Sequence, residues 1–80
     1  MNDALQICRI YADSLSAVLE TFGERPFTLR DLQEKGIQFP KNRSLPFFRV
    51  RGVLRMRERG NPSTWEVSKT CREYLRGRAA

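Results

Sequence analysis

At Gly52 the spacing of the apolar residues changes, and this change limits what the chain can fold into. Before it, Leu45 and Phe48 stand three apart, on one face of a helix that Asn42 or Ser44 can cap and that runs to Arg51. Gly52 can close that helix in the left-handed conformation that only glycine adopts cheaply. After it, Leu54 and Met56 alternate with Arg55, Arg57 and Arg59, the two-residue repeat of a half-buried strand. Gly60, Asn61, Pro62 and Ser63 form a dense turn signal. Residues 64 to 68 alternate again, with Trp65 and Val67 facing one way and Thr64, Glu66 and Ser68 the other. The expectation is a helix followed by a β-hairpin, with Leu54, Met56, Trp65 and Val67 on the hairpin face that covers Leu45 and Phe48. The competing expectation is a helix that continues through Gly52 to Arg59 and buries Phe47, Val50 and Leu54. The shorter helix is preferred, because the longer one leaves residues 64 to 68 with no strand to pair with.

Charge falls in the same stretch. Lys41, Arg43, Arg49, Arg51, Arg55, Arg57 and Arg59 stand against a single acid, Glu58. The whole chain carries +6, so the residues outside this window are balanced. Clustered positive charge with apolar residues threaded through it is the footprint of a nucleic-acid surface, weighed here against a merely solvated face. Arginine can fork onto phosphate or guanine. Asn42 can read adenine but is better spent as a cap. Trp65 can stack on a base but, alternating with Val67, reads better as core.

Ahead of this stretch, residues 3 to 22 read as one amphipathic helix, capped by Asn2 or Asp3 and ended by Gly23. Its stripe is Leu5, Cys8, Ala12, Leu15, Leu19 and Phe22, widened by Ile7, Tyr11 and Val18. So much apolar surface is covered either by the last helix or by a second copy, which makes a homodimer through this helix one expectation. Ile10 and Val18 are the positions that would test it. Residues 24 to 27 form a connector around Pro26. Thr28 and Asp31 resemble a capping box at the start of a short helix, 29 to 35, with Leu29 and Leu32 inward and Gly36 at its end. Ile37 and Phe39 are expected to pack below the next turn, and Pro40 bars helix before it. Pro46 must lie in the first turn of the following helix, which leaves Phe47 and Val50 beside Arg43 and in need of a partner. Ser68 can cap a last helix, 69 to 76, with Cys71, Tyr74 and Leu75 on its apolar side and Gly77 at its end.

With no histidine, and two cysteines in no metal-ligand spacing, the chain lacks zinc sites of the Cys/His type and histidine general bases. No enzyme, no metal and no cofactor is expected. Cys8 and Cys71 read as buried small hydrophobes, and as a disulfide only if the first and last helices pack together. No apolar run approaches the ~20 residues of a membrane span. The N-terminus lacks a signal-peptide layout. The expected location is cytoplasmic, at the nucleoid in a prokaryote.

Arg51-Gly52-Val53-Leu54, with Phe48 and Leu45 four and seven before the glycine, resembles the signature that leads into the wing of winged helix-turn-helix domains. Residues 65 to 75, WEVSKTCREYL, are similar to the ending of many archaeal and bacterial regulators of that superfamily, with Ser68 in place of Thr and Cys71 in place of Gly. The resemblance implies one α+β, mainly helical domain over residues 1 to 80: a three-helix core, a two-stranded wing and a C-terminal helix. It implies binding of duplex DNA, as a small transcription regulator or as the DNA-binding domain of a larger replication or recombination protein. Lys41, Asn42, Arg43 and Ser44 would open the recognition helix, Arg49 and Arg51 would lie along it, and Arg55, Arg57, Arg59 and Asn61 would belong to the wing. A protein–protein interaction module and an RNA-binding basic domain are the alternatives.

Overall fold

The N-terminal stripe forms two helices where the sequence predicts one. In the computed structural model, which describes residues 3–39 and 43–79, α1 (Asp3–Ile10) and α2 (Ala12–Phe22) meet at Tyr11, where φ is −106° and ψ 24°. Tyr11 keeps a backbone hydrogen bond on each side, donating to Ile7 at 3.1 Å and accepting from Leu15 at 3.0 Å. The break coincides with burial of its ring, which stands edge-on to Phe48 with centroids 5.0 Å apart and to Phe39 at 6.4 Å. Gly23, at φ 62°, closes α2 as expected.

The short helix α3 (Leu29–Glu34) has a complete capping box. The Asp31 N–H donates to Thr28 Oγ1 at 3.1 Å, and the Thr28 N–H donates to Asp31 Oδ2 at 2.9 Å. Lys35 is its C-cap, and Gly36 follows at φ 70°. Leu32 is buried, whereas Leu29, predicted to face inward with it, is 55% exposed. Leu29 is the first residue of a one-and-a-half-turn helix, and Ile37 and Phe39 beyond the helix fill the space instead.

Helix α4 (Leu45–Val50) is the shorter of the two alternatives. Ser44 occupies its N-cap position in extended backbone but makes no side-chain cap bond, and Pro46 lies in the first turn. The competing cap, Asn42, lies outside the described residues, as do Pro40 and Lys41. Arg51 is the C-cap, and Gly52 turns the chain at φ 77°. A Cβ on Gly52 would stand 3.4 Å from that of Ala4, so the turn sits against α1.

Strands β1 (Leu54–Glu58) and β2 (Thr64–Val67) pair antiparallel, with Leu54 opposite Val67 and Met56 opposite Trp65. These four are the residues expected on the inner face. Leu54, Trp65 and Val67 are buried, and Met56 packs against the core half-buried. The register shifts at Arg57, between Met56 and Glu58. Phe27, read as connector, adds an antiparallel bridge to Trp65 on the other side of β2. Val53 is fully buried as well, a core position that neither period marked.

Ser68 caps α5 (Lys69–Ala79) by accepting from the Cys71 N–H at 3.4 Å. The helix runs past Gly77, where the sequence predicts an end. Glycine inside a helix costs only ~1 kcal/mol, which the flanking turns absorb. Helix α5 packs on α1 and α2, and Cys8 and Cys71 are joined as a disulfide, both fully buried, with Cα atoms 6.0 Å apart. The last helix therefore covers the N-terminal stripe. Val18 is core and not a partner-facing residue, which leaves Ile10, 64% exposed, as the main apolar side chain of that region facing outward. Among the described residues no helix is long and apolar enough to cross a membrane. Over the described residues the architecture is a small, mainly helical α+β fold of five helices and a two-stranded hairpin.

Candidate nucleic-acid interface

Burial of Leu45 and Phe48 fixes which way α4 faces. With these two inward, Pro46, Arg49 and Val50 are left outward, at the three- and four-residue steps of a single helical face. Val50 is 83% exposed, more than any other large apolar residue described. Phe47 lies at the border, half-buried and edge-on to Phe48 with centroids 5.2 Å apart. Two guanidinium groups rest on its ring. The Cζ of Arg43 is 4.6 Å from the ring centroid and that of Arg51 is 5.4 Å from it. Both distances lie within the range of cation–π attraction. Phe47 thus packs against its own arginines, and it is the residue for which the sequence offered no partner.

The hairpin arginines are in different company. Glu66 lies opposite Arg55 in the register. Its carboxylate is 4.0 Å from Arg55 Nε and 3.3 Å from Arg57 Nη1. Two of the three hairpin arginines, Arg55 and Arg57, therefore share one negative charge. The strand alternation already put Glu66 on this face, and once the turn fixes the register its place opposite Arg55 follows. Arg59, just past β1, and Asn61, in the turn, are both exposed. The turn is tied by Ser63, whose Oγ donates to the Gly60 carbonyl at 3.0 Å and accepts from the Gly60 N–H at 3.2 Å.

Elsewhere some arginines are matched with acids, while Arg9 has no carboxylate partner among the described residues and Arg25 donates to the Phe22 and Thr21 carbonyls. Arg30 pairs with Glu34, and Arg72 and Arg76 share Glu24. Among the described residues no carboxylate lies within ion-pair distance of Arg43, Arg49, Arg51 or Arg59. Of the residues expected at the site, α4 brings together Arg43, Ser44, Arg49 and Arg51, and the hairpin brings together Arg55, Arg57, Arg59 and Asn61. Lys41 and Asn42 lie outside the described residues. Set against protein-family models, curated proteins and solved structures, the chain matches none.

Proposed function

We propose that this chain is a winged helix-turn-helix domain that binds duplex DNA, with α4 as the recognition helix and the hairpin as the wing. The observation that carries the reading is the uneven pairing of arginine. Arg30 on α3, and Arg72 and Arg76 on α5, have carboxylate partners, while Arg43, Arg49 and Arg51 cluster on and beside α4 with none among the described residues; Arg9 and Arg25, also without one, stand singly in the sequence. An uncompensated guanidinium on an exposed helix attracts a polyanion and releases its counterions on contact. The outward face of α4 carries Arg49 and Val50, a forked donor for guanine and an apolar group for a thymine methyl, both chemistries of the major groove. Arg55, Arg57 and Arg59 on the hairpin suit the backbone, where contacts position the protein without reading sequence. Lys41, Asn42 and Ser44 complete the site in this reading. The order of helices and hairpin, with the buried Leu45, Phe48 and Leu54 around Gly52, supports the assignment to the superfamily.

The test is a binding titration against duplex DNA, single-stranded DNA and duplex RNA at two salt concentrations. Preference for duplex DNA, weakening as salt rises, is expected. Preference for duplex RNA, or binding to none of the three, would move the RNA-binding or protein-interaction reading ahead.

A further inference from the structure

We infer that Phe47 is a positioning residue that holds Arg43 and Arg51 as a prearranged pair of phosphodiester-binding groups. The inference rests on the duplex-DNA reading above. Arg43 precedes α4 by two residues and Arg51 caps its other end, so each stands four positions from Phe47. Arg51 lies one helical turn past Phe47 and Arg43 reaches the same ring from the extended backbone ahead of the helix, which places the two guanidiniums 5.4 Å and 4.6 Å from the ring centroid. An arginine is a long side chain with much freedom to lose on binding, and both of these are exposed. Stacking on an aromatic face removes much of that freedom beforehand. A guanidinium lying flat on a ring keeps its in-plane N–H groups, the ones that fork onto an anion, unused by that contact. Phe47 itself is fixed by its edge contact with the fully buried Phe48, so the core sets the position of the pair. No carboxylate among the described residues competes for either arginine.

The ligand chemistry is the phosphodiester and not a base edge, because a pair of cations converging on one ring at the side of α4 lies off the outward face formed by Pro46, Arg49 and Val50. The pair should therefore add affinity without sequence preference.

The experiment compares the parent chain with Phe47→Leu, Phe47→Tyr and the double variant Arg43→Lys, Arg51→Lys, each titrated with two duplexes of different sequence over a range of salt. The lysine variant keeps both charges on exposed positions and gives up the planar group, its stacking and its forked donors together, so it reports even if Phe47→Leu fails to fold, while Phe47→Leu, which keeps both arginines, separates the stacking from the fork. Phe47→Leu and the lysine variant should each weaken both duplexes by about tenfold, the scale of ordering two long side chains on binding. The slope of log affinity against log salt should stay unchanged, because no charge is removed. Phe47→Tyr should bind like the parent. A lysine variant equal to the parent, or a weakening confined to one of the two duplexes, would overturn the inference while leaving the duplex-DNA reading intact. A parent that binds neither duplex would overturn both.

Discussion

Phe27 and Trp65 exchange both of their backbone hydrogen bonds. The Phe27 N–H donates to the Trp65 carbonyl at 2.9 Å and the Trp65 N–H donates to that of Phe27 at 2.8 Å. Phe27 in turn stacks on Phe22 at the end of α2, with centroids 5.4 Å apart. The hairpin is thereby tied to the N-terminal helices through backbone as well as side chains, and Trp65 stands where the two meet.

Replacing Trp65 with alanine should destabilise the fold by roughly 3–5 kcal/mol, as for other large-to-small changes in a core. Trp65 is 6% exposed and stands opposite Met56 across the strand pair. Denaturant unfolding of parent and variant measures this. A variant as stable as the parent would remove Trp65 from the core and return it to the surface as a base-stacking side chain.

The Cys8–Cys71 disulfide closes a loop of sequence separation 63 between the first helix and the last. On the chain-entropy account a loop of that size contributes about 4 kcal/mol by restricting the unfolded chain. Unfolding with and without reductant should differ by that order, and Cys8→Ala with Cys71→Ala should match the reduced parent. Coincident transitions would mean that the thiols add only their packing.

Glu66 shares its charge between two hairpin arginines. Its carboxylate faces Arg55 and Arg57, whose side chains are 77% and 54% exposed. Glu66→Gln should tighten duplex binding by about two- to fivefold, the scale of an exposed ion pair, with stability changed by less than ~1 kcal/mol. Affinity that is unchanged or weaker in the variant would show that these arginines do not meet the DNA.

Much of this was legible in the sequence where local chemistry decided the outcome. The capping box at Thr28 and Asp31, the end of α2 at Gly23 and the change of period at Gly52 are each fixed by residues a few positions apart. The hairpin face followed from strict alternation around an unmistakable turn. What stayed hidden depends on residues distant in the chain. The break at Tyr11 goes with packing against Phe39 and Phe48, and nothing in the stripe of residues 3 to 22 marks it. The Phe27 bridge needs β2 beside it before a connector can become a strand position. Gly77 carries the local signal of a helix end, yet the helix runs on, since one glycine is too weak a breaker. At the site, charge clustering pointed to the region, but not to which arginines are paired. Glu66 takes up Arg55 and Arg57, and Phe47 takes up Arg43 and Arg51 by stacking, both of which require the register and the helix boundaries first.

The central claim is that arginines free of carboxylate partners, on and beside α4 and at the end of β1, meet duplex DNA. The most direct measurement is the salt dependence of duplex affinity for the parent and two double variants that remove equal charge. One is Arg49→Ala with Arg59→Ala, which takes away two arginines with no acid beside them among the described residues. The other is Arg72→Ala with Arg76→Ala, which takes away the two that share Glu24. The first variant should weaken binding and lower the magnitude of the salt slope by about 0.9 for each phosphate no longer neutralised, while the second leaves both close to the parent. Equal effects from the two variants would reduce the binding to general charge, and a parent with no salt-dependent affinity for duplex DNA would contradict the claim outright.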